Sequence, residues 1–342
     1  MKIVIDARLL DRVNNTGISR YIEFLFKYYC GKYPKNHIYI ISNDKMFRYD
    51  QCNVIYTKLK PYNILHFFIY YFKIVRLNPT LYHAPFYSGL AFGSKEKVIV
   101  TVHDLMYRIV PSFFSPNIFL NRIKILYFDC IVGLSLKHAD EIISVSQTTN
   151  RDVSKFFKRN SVTIPENSEI TVAANDTIIT KYNLSNKRYF FYCGNSRPHK
   201  NLDILYKVFE VNDDLPLLVL AGKGHRNTKN VLCVGTISDN ELKTLYSAAI
   251  AFVFPSFYEG FGLPILESFY SKTIVVASRI SAFLEFENEN ILFFDPNSCD
   301  ELYLCLKKAE RQEFVENNFV DRFDDKSLMA QYDGLLNKMG KA

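Results

Sequence analysis

The chain has 342 residues, 48% of them hydrophobic, which is enough to supply cores for two domains of ordinary size and excludes a disordered tail or linker. A formal charge of +7 is modest at this length and does not by itself point to nucleic acid. The seven cysteines stand singly, without a CxxC or Cys/His ligand spacing, and read as reduced thiols of a cytosolic protein.

The first ten residues, MKIVIDARLL, carry Asp6 and Arg8 inside their apolar run. They lack the uninterrupted apolar region of a signal peptide and read as a first buried strand. No stretch offers 18 or more uninterrupted apolar residues, so no transmembrane span is expected. A polar turn, DRVNNTG, leads into ISRYIEFLFKYY, whose apolar residues recur at helical spacing and complete one βα unit.

Lys27, Lys32, Lys35, Lys58, Lys60, Lys73 and Arg76 are interleaved with Tyr and Phe in the first quarter. That pattern suits either an anionic membrane surface or phosphate-bearing partner, or a solvated face whose lysine stems cover an aromatic core. Residues 58–77, KLKPYNILHFFIYYFKIVRL, divide in the same way: a segment lying on a bilayer, or a helix of the first domain with its apolar residues buried.

Strands are predicted at HIYIIS, NVIYT, TLYHAP, KVIVTVHD and EIISVS. Between 154 and 187 the chain turns rich in Asn, Ser and Thr, and the domain boundary is placed there. Alternation restarts with RYFFYCGN, LPLLVLAGKG, NVLCVGT, IAFVFPS, TIVVAS and ILFFDP, separated by helical segments. Strand followed by helix, repeated, predicts an α/β fold with two doubly wound Rossmann-like domains. Ser238 and Glu241 form a predicted capping box.

In open parallel sheets ligands bind beyond the carboxyl ends of the strands. The strand IAFVFPS runs into FYEGFG and then a helix, LPILESFYS, with Pro264 suited to the first helical position. Amides and dipole at such a helix start favour phosphate or sugar oxygens, and Gly260 and Gly262 allow close backbone approach. Glu267, placed in the first helical turn, is suited to a ribose diol, and Glu259 is free to meet another part of the ligand.

The spacing Glu259-x7-Glu267 around Gly260-Phe261-Gly262-Leu263-Pro264 resembles the signature of the retaining glycosyltransferases of family four, which have the GT-B fold. YCGNSRPHKNLDIL resembles the segment that carries a lysine for the donor diphosphate, here Lys200. IDARLLDRVNNTGISRY resembles the N-terminal glycine loop, with Gly17 facing the cleft, and VTVHDL the segment holding a histidine near the donor sugar, here His103. ADEIISVSQTTNRDV and LKTLYSAAIAFVFPS also match, so the likeness covers most of the chain. Two departures stand out: Arg197 lies three positions before Lys200 where many members have Arg directly before it, and Pro165-Glu166-Asn167 replaces the usual Pro-Asn-Gly turn.

The resemblance implies an N-terminal acceptor-binding domain (1–168) and a C-terminal nucleotide-sugar-binding domain (169–324) facing a central cleft. An amphipathic helix at about 325–342 would return to the first domain. Donor binding falls on Gly17, Arg197, Lys200, Glu259, Gly260, Phe261, Gly262, Leu263 and Glu267, and catalysis on His103, Glu259 and Lys200. His83 reads either as a buried strand-end histidine or as an acceptor contact. Glu285 reads either as the family's acid downstream of the sugar site or as a helix-surface residue.

The expected activity is retaining transfer of a hexose, first mannose from GDP-mannose, with no cofactor and no metal. The acceptor is a glycan or polyprenyl-diphosphate-linked oligosaccharide of bacterial O-antigen or capsule, met in the cytoplasm or on the cytoplasmic face of the inner membrane. Two other classes remain open: an epimerase or hydrolase of nucleotide sugars, and a non-catalytic nucleotide-sugar-binding partner.

Overall fold

The computed structural model describes residues 2–11, 16–66, 71–90, 95–168, 175–185 and 188–341. Residues 12–15 of the polar turn, 67–70 of the aromatic segment and parts of the predicted linker lie outside the described residues. The chain divides into two compact units, one of residues 1–167 with 325–342, the other of 168–324.

The first unit runs β1 (Ile3–Asp6), α1 (Gly17–Lys32), β2 (Ile38–Ser42), β3 (Asn53–Tyr56), α2 (Tyr71–Leu77), β4 (Leu81–Ala84), β5 (Lys97–Val102), α3 (Met106–Ile109), α4 (Ile118–Lys137), β6 (Glu141–Ser144), α5 (Gln147–Phe157) and β7 (Val162–Thr163). Its parallel sheet has the order β3-β2-β1-β4-β5-β6-β7. The period of two along a strand divides β1 between two cores. Ile3 and Ile5 pack with Tyr21, Ile22 and Leu25 of α1, whereas Val4 joins Val98, Val100, Ile131 and Leu136 on the other face. Burial on both faces is why these strands read as continuous apolar runs.

The second unit runs α6 (Asp176–Lys181), β8 (Tyr189–Cys193), α7 (Leu202–Val211), β9 (Leu217–Ala221), β10 (Val231–Gly235), α8 (Asp239–Ser247), β11 (Ala251–Phe254), α9 (Leu263–Tyr270), β12 (Ile274–Ser278), α10 (Ser281–Leu284), β13 (Ile291–Phe294) and α11 (Cys299–Ala309). Its parallel sheet has the order β10-β9-β8-β11-β12-β13. The predicted capping box starts α8: Ser238 Oγ accepts from the Glu241 amide and the Glu241 carboxylate accepts from Ser238 N–H.

The closing helix α12 (Asp325–Lys341) packs on the first unit. Leu328, Tyr332, Leu335 and Met339 recur three to four residues apart and are buried with α1 and the sheet. Lys27–Asp325 and Lys32–Asp333 ion pairs flank that seam. In the 58–77 segment, Leu59, Ile64 and Leu77 pack on the core, Ile74 is buried, and Leu65 and Phe72 are exposed.

Candidate functional site

In the second unit the strands proceed outward from β8 to β10 on one side and from β11 to β13 on the other. The gap between neighbouring loops at this reversal, after β8 and β11, is where an open α/β sheet presents a ligand site. The loop after β8 makes a 3₁₀ turn at Pro198–Lys200 and ends at Asn201, a residue with φ +54°. The loop after β11 carries Ser256 to Gly262 into α9. Phe257 N–H donates to the His199 carbonyl at 2.8 Å and ties the two loops together.

Across this junction Lys200 Nζ donates to Glu259 Oε1 at 2.6 Å, and Ser256 Oγ donates to the same oxygen at 2.7 Å. The ammonium also stands 5.2 Å from the Phe254 ring centroid, on its electron-rich face. Both charged side chains are more than four-fifths shielded from water, so each charge is felt more strongly than on an open surface. His199 beside them is buried, and burial followed by the Lys200 charge pushes its pKa down to about 4. The neutral imidazole adds no charge to that of Lys200 near neutral pH.

Gly262 caps α9 at φ +146°, and a Cβ there would meet Phe286 at 3.1 Å and Phe283 at 3.4 Å. Only glycine makes this turn without strain. Pro264 is the second residue of α9, one later than expected, and has no N–H, while Ile265 N–H turns back to Gly262 O at 2.9 Å. The helix-start donors therefore come down to the amides of Gly262 and Leu263. The Phe261 side chain is buried against Phe286 and Phe323, with centroids 5.0 and 5.9 Å away. These ring contacts anchor the turn.

Glu267 lies in the second turn of α9, not the first, and is 7% exposed. Its carboxylate accepts from Ser168 Oγ at 2.6 Å and Tyr246 OH at 3.0 Å, which fixes both oxygens. Arg197 is exposed at the start of the 3₁₀ turn, so its guanidinium has freedom to reorient.

The first unit holds a second group of polar side chains at its own strand ends. His103 follows β5 and is 8% exposed. Its Nδ1 lies 2.8 Å from Glu166 Oε1 and its Nε2 2.8 Å from the Pro85 carbonyl, while Tyr21 meets the ring edge-on at 5.0 Å. Burial opposes the charged ring, but Glu166 outweighs it and the His103 pKa is raised. His83, one of whose two readings was an acceptor contact, is fully buried between Tyr29 OH (3.0 Å) and Thr101 Oγ1 (3.1 Å). Both ring nitrogens are engaged within the first unit.

Gly17 is the first residue of α1. Its neighbours Thr16 and Ile18 line a cavity of about 620 Å³ with Arg8, Asp11, Ser42 and Asn43, at the ends of β1 and β2.

Residues 175–324 match the family profile "Glycosyl transferases group 1". That match takes in nearly all of the second unit. The chain is 28% identical over 284 residues to the O-antigen chain mannosyltransferase RfbU of Salmonella typhimurium, covering 74% of this chain and 78% of that protein. It is 28% identical over 251 residues to O-antigen chain mannosyltransferase B of Escherichia coli, covering 64% and 62%. The structure superposes on sucrose-phosphate synthase from Thermosynechococcus elongatus with TM-score 0.79 at 18% identity, over 100% of this chain and 99% of that one. The chain accordingly has the GT-B fold class, with two Rossmann-like units.

Sequence reasoning missed Ser256, Ser168, Tyr246 and Glu166, the groups that hold Glu259, Glu267 and His103 in place. For Glu166 a signal existed: the departure from Pro-Asn-Gly put a carboxylate where the family pattern has an amide.

Proposed function

We propose that the chain is a glycosyltransferase that moves a hexose, first mannose from GDP-mannose, onto a glycan or polyprenyl-diphosphate-linked oligosaccharide of bacterial surface polysaccharide, with retention at the anomeric carbon. The observation that carries the reading is the shielded Lys200–Glu259 pair at the strand reversal of a group 1 domain. Cleavage of a sugar–diphosphate bond sends its electron pair onto the leaving diphosphate and leaves the sugar oxocarbenium-like. Lys200, Arg197 and the amides of Gly262 and Leu263 neutralise the diphosphate. Glu259 then faces the sugar, and Glu267 holds the ribose. The acceptor oxygen attacks from the side the diphosphate leaves, and its proton passes to a diphosphate oxygen.

These cations and amides supply the charge that a metal ion supplies in other transferases, so turnover is expected to survive chelation. The names of the two relatives support mannose, and the cavity beside Gly17 is the site assigned to the acceptor glycan.

Among the described residues no helix is long and apolar enough to cross a membrane. Contact with the cytoplasmic face of the inner membrane is assigned to α4 rather than to residues 58–77 as a whole. Ile118, Phe119 and Leu126 of α4 are 83%, 76% and 61% exposed, with exposed Arg122 and Lys124 between them. Tyr127 joins this face to the 58–77 segment, accepting from Ile64 N–H at 3.1 Å and donating to the Tyr62 carbonyl at 2.9 Å. Exposed Lys58 and Lys60 extend the basic rim. Apolar side chains ringed by cations suit an anionic lipid surface.

The test is a panel of GDP-, UDP-, TDP- and ADP-sugars incubated with short lipid-linked and free glycan acceptors. Transfer from GDP-mannose with an α-linked product supports the reading. Turnover of no donor overturns it, and hydrolysis or epimerisation without transfer favours the alternative enzyme class.

A further inference from the structure

The His103 ring sits between two acceptors. Nδ1 faces the Glu166 carboxylate and Nε2 faces the Pro85 carbonyl, each at 2.8 Å. A neutral imidazole has one N–H and one lone pair, so either neutral tautomer would press a lone pair against an acceptor oxygen at hydrogen-bond distance. Beside an ionised Glu166 only the imidazolium satisfies both contacts. The backbone is held as firmly, because Thr149 Oγ1 of α5 donates to the His103 carbonyl at 3.1 Å.

We propose that Glu166 is a positioning residue that keeps His103 doubly protonated, so that His103 serves the transfer as a fixed cation and N–H donor and not as a base. This rests on the proposed function only for the use made of the cation; the charge state stands on the geometry alone.

Other groups around the ring do not supply the balancing charge. Tyr21 of α1 presents its ring edge, and its hydroxyl bonds to Thr101 and to Tyr332 of α12. His83 of β4 is neutral, its pKa pushed down to about 3 by burial and then by the charge of His103. Asp104 adds a smaller attraction, and its Oδ1 accepts from Met106 N–H at 2.8 Å. The charge therefore depends on Glu166, which is 6% exposed and lies 63 residues away in sequence.

With both nitrogens protonated the ring has no lone pair with which to take a proton from an acceptor hydroxyl. What it offers a substrate is Nε2–H, passed from the Pro85 carbonyl to an oxygen that carries more negative charge.

The test has two readouts. Long-range proton–nitrogen NMR of the ligand-free protein, with His103 assigned through His103→Gln, follows the ring against pH in wild type and in Glu166→Gln. The wild-type ring is expected to be doubly protonated at about pH 7 and its titration to move to lower pH in Glu166→Gln. In parallel, kcat/KM of Glu166→Gln is expected to fall about tenfold or more at about pH 8 and to lie within about twofold of wild type at about pH 5.5. Glu166→Asp, which keeps the charge, should restore part of the activity at the higher pH.

A neutral wild-type ring at about pH 7 overturns the proposal even if Glu166→Gln does not fold. An unmoved titration in a folded Glu166→Gln also overturns it, as does a moved titration with an unmoved turnover profile. Failure of every donor would sink the transferase reading while leaving the NMR result to decide the charge state of His103.

Discussion

Lys200 Nζ and Glu259 Oε1 lie 2.6 Å apart, so the cation assigned to the donor diphosphate is already neutralised by the carboxylate assigned to the donor sugar. A diphosphate must share or displace that partner. Lys200→Ala is expected to lower kcat/KM by about 10²- to 10³-fold, the usual loss for one electrostatic contact to a developing charge. Glu259→Gln should behave oppositely in binding and turnover. Freed of its carboxylate, Lys200 should hold GDP more tightly by roughly 1 kcal/mol, about fivefold in Kd, while transfer falls. Calorimetry with GDP beside a turnover assay checks the pair, and weaker GDP binding in Glu259→Gln would show that the carboxylate does not compete with phosphate.

The turn at Gly262 should tolerate no side chain. Gly262→Ala places a Cβ 3.1 Å from the Phe286 ring at φ +146°, a region costly to non-glycine residues. A loss of about 1–3 kcal/mol in the second unit is expected from denaturant unfolding. An unchanged midpoint would mean the turn relaxes without consequence.

Acid should loosen the fold from near neutrality downward. Burial and the charge of Arg8 push His66 down to about 4, and His199 is likewise held at about 4 by burial and Lys200. His83 falls to about 3. Unfolded histidines titrate near about 6.5, so between that value and about pH 4 the unfolded chain binds more protons than the folded one. Stability from these three is complete above about pH 6.5 and lost as pH falls through the folded values. His103 works in reverse: its raised pKa adds stability present below about pH 6.5 and lost as pH rises through the folded value. Urea midpoints across this range check the sign, and a midpoint that rises steadily on acidification would contradict the assignment to the three buried neutral histidines.

The apolar face of α4 predicts lipid binding separable from catalysis. Phe119→Asp with Leu126→Asp should reduce co-sedimentation with phosphatidylglycerol vesicles about tenfold or more while leaving turnover of a water-soluble acceptor within about twofold. Equal sedimentation of wild type with neutral and anionic vesicles would remove the role given to Arg122 and Lys124.

Much of the fold was legible because its causes are local. β1, β5, β8 and β11 are buried on both faces, so each announces itself as a short β-rich apolar run. The capping box of Ser238 and Glu241 spans three residues, and the apolar stripe of α12 repeats within a few turns. The α4 face was not legible, because apolar residues in a helix of a mixed domain read as core until the packing shows which of them have no neighbour.

Glu259 and Glu267 were singled out from a glycine turn after a strand, and Lys200 and His103 from the resemblance of their segments. The tertiary structure alone decided what each of them touches. Lys200 and Glu259 are 59 residues apart and meet only because β8 and β11 are neighbours at the strand reversal. Glu267 and Ser168 are 99 apart, and His103 and Glu166 are 63 apart. The sequence by itself determined where strands end and which residue types stand there, since hydrophobic periodicity and turn chemistry act over a few residues. Charge state and partnership depend on which strand ends the sheet order brings side by side, and on how much water the packing around them removes.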